Sequence, residues 1–142
     1  MNKERKATAN KGFSLVELII VIAIMAVLIG VLAPQYMRYV EKSRVSADTQ
    51  LCDNVYQAIN VAYLDPDITG KPVAPVTTTT LGASAATGDF WDEVYTTLGV
   101  ADYAALKGKL KAAGASDIQY AISSDGSVTI TNTNNTKTIT IN

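Results

Sequence analysis

Hydrophobic positions along the chain fall into three regimes, and each predicts a different element. From Phe13 to Ala33 the residues read FSLVELIIVIAIMAVLIGVLA, apolar around the whole circumference of a helix. These 21 residues make roughly 31 Å of helix, enough to cross a hydrocarbon core of about 30 Å. After Pro34 the pattern becomes one-sided. Leu51, Val55, Ala58, Ile59 and Ala62 share a face, and Arg38, Glu41, Lys42, Arg44, Asp48, Gln50, Asp53 and Asn54 supply the polar positions between them. Asp65-Pro66 stops the pattern, so the spacing predicts one helix from about Phe13 to Leu64, bent at Pro34.

Beyond Gly114 the period changes to two. Ile118, Tyr120 and Ile122 alternate with polar residues, as do Val128 with Ile130 and Ile139 with Ile141. Ser124-Asp125-Gly126 and the run Asn132 to Asn135 have turn chemistry, giving a three-stranded antiparallel meander over about Asp117–Asn142. Its single apolar face needs cover, and the second half of the long helix is the available partner. Between these elements, residues 66–88 are rich in Pro, Gly, Thr, Ala and Ser and read as loop, with an extended segment around Val73 to Thr80. Asp89 is placed to cap a short helix lined by Phe90, Val94 and Leu98 and ended by Gly99. Asp102 is placed to cap another, with Tyr103, Leu106 and Leu110 inward, Lys107, Lys109 and Lys111 outward, and Gly114 closing it. The fold class expected is α+β.

Composition removes several function classes. No histidine is present, which excludes a Ser-His-Asp triad, a Cys-His pair and imidazole metal ligands. Cys52 is the single cysteine, so neither an intrachain disulfide nor a thiolate zinc site can form. Inside a helical pattern it reads as a small packing residue. Adjacent acids such as Asp92 and Glu93 point about 100° apart on a helix and do not converge as a catalytic pair. No glycine loop of the Walker type occurs. No catalytic residue, cofactor site or metal site is therefore assigned, and no enzyme is expected. Charge adds one asymmetry: Lys3, Arg5, Lys6 and Lys11 stand against Glu4 alone in the first twelve residues, and the remainder is mildly acidic. That surface gives no reason to expect a nucleic-acid partner. By the positive-inside tendency the basic start is expected to stay on the cytoplasmic side, against Arg38, Lys42 and Arg44, with Glu41, beyond the run.

Glu17 is the odd residue, a carboxylate inside the apolar run. Comparable residues near a helix centre cost about 2.5–3.5 kcal/mol on insertion scales. One reading is a glutamate that snorkels from the helix end. The other is a group awaiting a positive partner, which cleavage after Gly12 would create as a new α-amino group on Phe13.

The stretch Lys11-Gly12-Phe13-Ser14-Leu15-Val16-Glu17 resembles the type IV prepilin signature, a class III signal of the type IVa kind: a basic leader, Gly, Phe, and Glu fifth in the mature chain. The resemblance implies that prepilin peptidase removes the leader peptide, residues 1–12, by cleavage between Gly12 and Phe13, and N-methylates Phe13. Glu17 would pair with the Phe13 amine of a neighbouring subunit, and Pro34 falls where many members of the family carry a helix-bending proline. The implied organisation is a membrane-spanning, filament-core helix over 13–34 and a globular head over 35–142, with an antiparallel sheet laid across the long helix.

A structural subunit of a type IV pilus is the function the resemblance implies, a major pilin forming a helical homo-oligomer. It would reside in the cytoplasmic membrane as a single-pass protein before assembly and on the cell surface afterwards. The implied partners are prepilin peptidase, an assembly platform and its ATPase. A pseudopilin of a type II secretion or DNA-uptake system shares the signature. A membrane-anchored binding module would explain the span and the head but leaves Gly12-Phe13 and Glu17 as coincidence.

Overall fold

The computed structural model describes residues 12–81, 89–134 and 137–142. Apart from Gly12, the expected leader lies outside the described residues, as do part of the 66–88 loop and the end of the Asn132 to Asn135 run. The chain divides into two compact units, Met1–Arg38 and Tyr39–Asn142.

One helix, α1, runs over Leu15–Leu64 and continues through Pro34. It begins two residues after Phe13 because Ser14 is the capping residue. The Leu18 amide donates to the Ser14 carbonyl at 3.2 Å, closing the first turn. At the other end the Asp65 amide still reaches the Val61 carbonyl, and Pro66 has no N–H to extend the ladder. Val45, Asp48, Cys52, Val55, Ala58, Ile59 and Ala62 are buried, a stripe advancing by three and four residues. This stripe corrects the face expected from the sequence: Leu51 is only half-buried at its flank, and Asp48 is inside.

Four strands follow, with two short helices between the first and second. They are β1 (Val76–Thr80), α2 (Asp89–Thr97), α3 (Tyr103–Lys107), β2 (Gln119–Ile122), β3 (Val128–Thr133) and β4 (Thr138–Ile141). The sheet is antiparallel in the order β1-β2-β3-β4. The expected meander is therefore present and gains a fourth strand. Val76 pairs with Ile122 and Thr80 with Gln119, across an irregularity in β1. Four consecutive threonines are β-branched and favour extended backbone, which is why a loop-like composition still forms an edge strand. The β2–β3 turn closes where Gly126 takes φ +87° and Asp125 accepts from the Ser127 amide and hydroxyl. Those two bonds hold the Asp125 carboxyl below its ordinary range. Asn132 lies inside β3, not in the turn, with its side-chain amide donating to the Ser116 carbonyl at 2.7 Å.

One apolar cluster joins the buried stripe of α1 to Ile118, Tyr120, Ile122, Val128, Ile130 and Ile139 of the sheet region. Phe90, Trp91 and Val94 of α2 and Leu106 of α3 complete it. Trp91 packs edge-on to Phe90 and Tyr120, with ring centres 5.0 and 5.1 Å apart. Asp89 is the first residue of α2, and its carboxylate accepts from the Thr69 hydroxyl at 2.5 Å. Gly99, at φ +63°, ends that helix as expected. Asp102 caps α3, accepting from the Ala105 amide at 2.8 Å. This helix is shorter than its pattern predicts and is capped by Gly108 instead of Gly114.

The reason α3 stops lies on α1. Asp48 accepts from the Lys111 and Ala112 amides at 2.8 and 2.9 Å, and Glu41 accepts from the Ala113 amide at 2.8 Å. Three consecutive backbone donors are thus held by helix carboxylates, which fixes 111–113 as a loop against α1. Asp48 is fully buried and needs such partners. The sequence signal was available, since Asp48 sits three residues after Val45 and four before Cys52 in the buried stripe. Cys52, also fully buried, has its thiol pushed up to about 11, first by burial and then by the Asp48 charge.

Candidate assembly site

The N-terminal part of α1 carries the residues singled out by the sequence. Leu, Ile, Val, Ala and Met dominate Leu15–Ala33, and unbranched or β-branched side chains alike tolerate helix when their surroundings are apolar. Every large hydrophobic side chain from Phe13 to Leu32 is at least 44% exposed. Among the described residues α1 is the one helix long and apolar enough to cross a membrane. A contiguous exposed apolar surface of that size marks a site for contact with lipid or other protein.

Glu17 sits at the start of this surface. Its Oε2 accepts the Ser14 amide proton at 2.9 Å, the arrangement in which a residue in the first turn reaches back to the capping residue. The carboxylate also lies at the positive end of the helix dipole. This cap is a role for Glu17 beyond the snorkelling and the intermolecular pairing that the sequence suggests. Its signal is the spacing Ser14-x-x-Glu17 ahead of an apolar run. Oε1 has no partner among the described residues and can accept from an ammonium group. Gly12 and Phe13 precede the helix, exposed, Phe13 with 85% of its surface free. A Cβ built on Gly12 meets nothing within 4 Å among the described residues, so their packing does not itself require glycine there. Pro34 lies inside α1, twenty residues along from Ser14 in the numbering and distant in sequence from the capping group.

Gly12 and Phe13 immediately precede α1 and Glu17 lies in its first turn, whereas Pro34 lies further along the helix. Within a single subunit the Phe13 nitrogen is a peptide nitrogen joined to Gly12. The arrangement offers a carboxylate acceptor, an apolar helix surface and an exposed Gly-Phe bond. No group of three or more His, Cys, Asp or Glu residues suited to a metal is found among the described residues.

Residues 8–33 match the family model described as the prokaryotic N-terminal methylation motif. The type IV major fimbrial protein FimA of Dichelobacter nodosus is 35% identical over 80 residues, 56% of this chain and 49% of its own. The type IV major pilin protein PilE of Neisseria gonorrhoeae is 31% identical over 102 residues, 72% of this chain and 48% of its own. A fimbrial protein of Neisseria meningitidis serogroup B is 40% identical over 58 residues, 41% of this chain and 34% of its own. The chain spans about half the length, or less, of these curated relatives. No solved structure matches it.

Proposed function

We propose, on the premise that the chain is a type IV pilin, that it is a structural subunit of a type IV pilus, of the major kind. The observation that carries this reading is the match of residues 8–33 to the methylation motif, with Gly12-Phe13 and Glu17 inside it. The uncovered apolar surface of Leu15–Leu32 supports it. Before assembly that surface lies in the cytoplasmic membrane, and afterwards it packs against copies of itself in the core of a surface filament.

Prepilin peptidase cleaves between Gly12 and Phe13 and methylates the Phe13 amine. Since nothing among the described residues crowds a side chain at Gly12, the demand for glycine comes from the enzyme's cleft. Glu17 then serves twice. One carboxylate oxygen caps its own helix through the Ser14 amide, and the other receives the Phe13 ammonium of a neighbouring subunit. Oppositely charged groups withdrawn together from water into an apolar core are strongly favoured over either one alone, so the pairing sets axial register. Pro34 permits a bend as the helix leaves the filament core. Extraction of the helix from lipid requires work, which an assembly platform and its ATPase supply.

Intact mass and N-terminal sequence of protein sheared from cells, with electron microscopy of the same fraction, test this reading. The expected result is a chain beginning at methylated Phe13 within long filaments. An uncleaved chain confined to the membrane would overturn it. A cleaved chain without surface filaments would replace the pilus with the pseudopilus of a secretion or DNA-uptake system.

A further inference from the structure

Charge is sorted along the head half of α1. Four exposed lysines border the helix between Lys42 and Asn54. Lys42 and Lys137 edge an open groove of about 590 Å³ that includes Val45, Thr49 and Ile141. Lys109 and Lys111 line a smaller one, about 280 Å³, against Ala47, Leu51 and Asn54. Among the described residues none of these four ammonium groups has a carboxylate within 4.0 Å, the ion pairs being Arg44–Glu41 and Lys107–Asp117. The acids nearest in sequence are engaged elsewhere: Glu41 with the Ala113 amide and Arg44, Asp48 with two buried amides. Asp53, which lines the larger groove, accepts from Gln57.

The far end of the same helix has the opposite sign. Asp65 and Asp67 follow Leu64, and the Thr69 hydroxyl brings Asp89 of α2 to this loop. Asp92 and Glu93 lie three and four residues further along α2, on its exposed side. Lys71 is the cation in this region, and its ammonium donates to the Asp65 carbonyl. Lys42 lies about 33 Å of helical rise from Leu64, and Asn54, beside Lys109 and Lys111, about 15 Å from it, so the lysines and this acidic group do not pair directly within one head.

We infer that the lysine collar of one copy seats the acidic end of a second copy, joining heads along the filament. The inference rests on the pilus reading above and adds the surface by which heads recognise one another. Its basis is complementarity carried on a single chain: each head presents a basic stretch and an acidic end, neither of them ion-paired to the other among the described residues. A contact between unlike patches of identical subunits is heterologous, and it propagates as an open helical polymer unless its rotation closes a ring. Charge complementarity acts mainly on register and association rate, and salt screens it.

Three full-length variants expressed in place of the natural chain test this: Lys42→Glu with Lys137→Glu, Asp92→Lys with Glu93→Lys, and all four together. Each double variant is expected to lower sheared-filament yield several-fold, and its filaments to fall apart at lower salt. The fourfold variant restores both toward the natural values. Thermal melting of each detergent-solubilised chain, expected to be unchanged, separates contact loss from misfolding. A double variant that does not fold is replaced by Lys42→Gln with Lys137→Gln, for which a smaller loss is expected. Double variants with natural yield, or a fourfold variant with no recovery, overturn the inference while leaving the filament intact as a reading. Reduced binding of the lysine variant to phosphatidylglycerol vesicles with unchanged filaments also overturns it, reassigning the collar to lipid. Absence of filaments from the unaltered chain strikes the pilus reading instead.

Discussion

From Leu15 to Leu32 and from Val45 to Ala62, α1 uses the same backbone geometry and handles its apolar side chains in opposite ways. Ile22 is 55% exposed and Ile59 is fully buried, although both are isoleucines within one unbroken helix. The first stretch is apolar all round, so no single partner face within the chain can cover it. The second alternates apolar and polar positions at helical spacing, and its stripe meets the apolar faces of the sheet, α2 and α3. The difference separates two kinds of stability. One region is covered by its own chain, while the other, under the proposed function, is covered by lipid or by other subunits, and a substitution should be felt only in the assembly that covers it.

The largest expected effect comes from Glu17→Ala. Processing should persist, because the Gly12-Phe13 bond is untouched, while assembly fails. A buried Phe13 ammonium left without its partner costs about 3–5 kcal/mol. Filament yield beside the amount of mature chain in the membrane checks this, and normal yield would show the pairing to be dispensable. In the second region, Ile59→Ala should destabilise the head by about 2–5 kcal/mol, while Ile22→Ala should leave head melting unchanged. Equal losses from both would remove the distinction between the two stretches.

Asp48→Ala sharpens the comparison from the polar side. It leaves the Lys111 and Ala112 amides without acceptors, at about 1–3 kcal/mol for each that stays buried. Increased amide exchange at Lys111 and Ala112, with lower head stability, is the expected result. Protected amides at those positions would show that other acceptors replace the carboxylate.

The smallest effect is expected at the surface of the head. Lys107, at 2.6 Å, and the Tyr103 hydroxyl, at 3.0 Å, hold the Asp117 carboxyl below its ordinary range. A depressed folded-state value stabilises the fold above the unfolded value and loses that contribution as pH falls through the folded one. Asp117→Asn should therefore lower stability slightly near neutral pH, with the difference shrinking below about pH 4. Tyr103 works in the other direction: burial, then its bond to Asp117, pushes the phenol up to about 12. Its contribution is present below the unfolded value near 10 and is lost as pH rises through about 12. Thermal melts of Asp117→Asn across acid pH and of Tyr103→Phe across alkaline pH read the two limbs separately. An Asp117→Asn deficit that persists unchanged in acid would refute the ion-pair explanation.

Periodicity and punctuation were enough to read the length of α1, its stop at Asp65-Pro66, the cap at Asp102 and the three C-terminal strands. These features arise from residues within a turn or two of one another, so a short window of sequence contains their cause. Gly12, Phe13 and Glu17 stand within one such window, and so does the Ser14-x-x-Glu17 spacing that carries the cap. Other features depended on segments far apart in the chain. Asp48 and Glu41 take amides 63 to 72 residues away, and that long-range capture ends α3 early. The Val76–Thr80 segment becomes a strand because β2 offers it an unpaired edge. Thr69 and Asp89, 20 residues apart, bring acidic residues together at one end of the head. Local pattern states which backbone shapes are favourable, whereas burial, edge pairing and charge grouping depend on which distant segments the packed core makes neighbours.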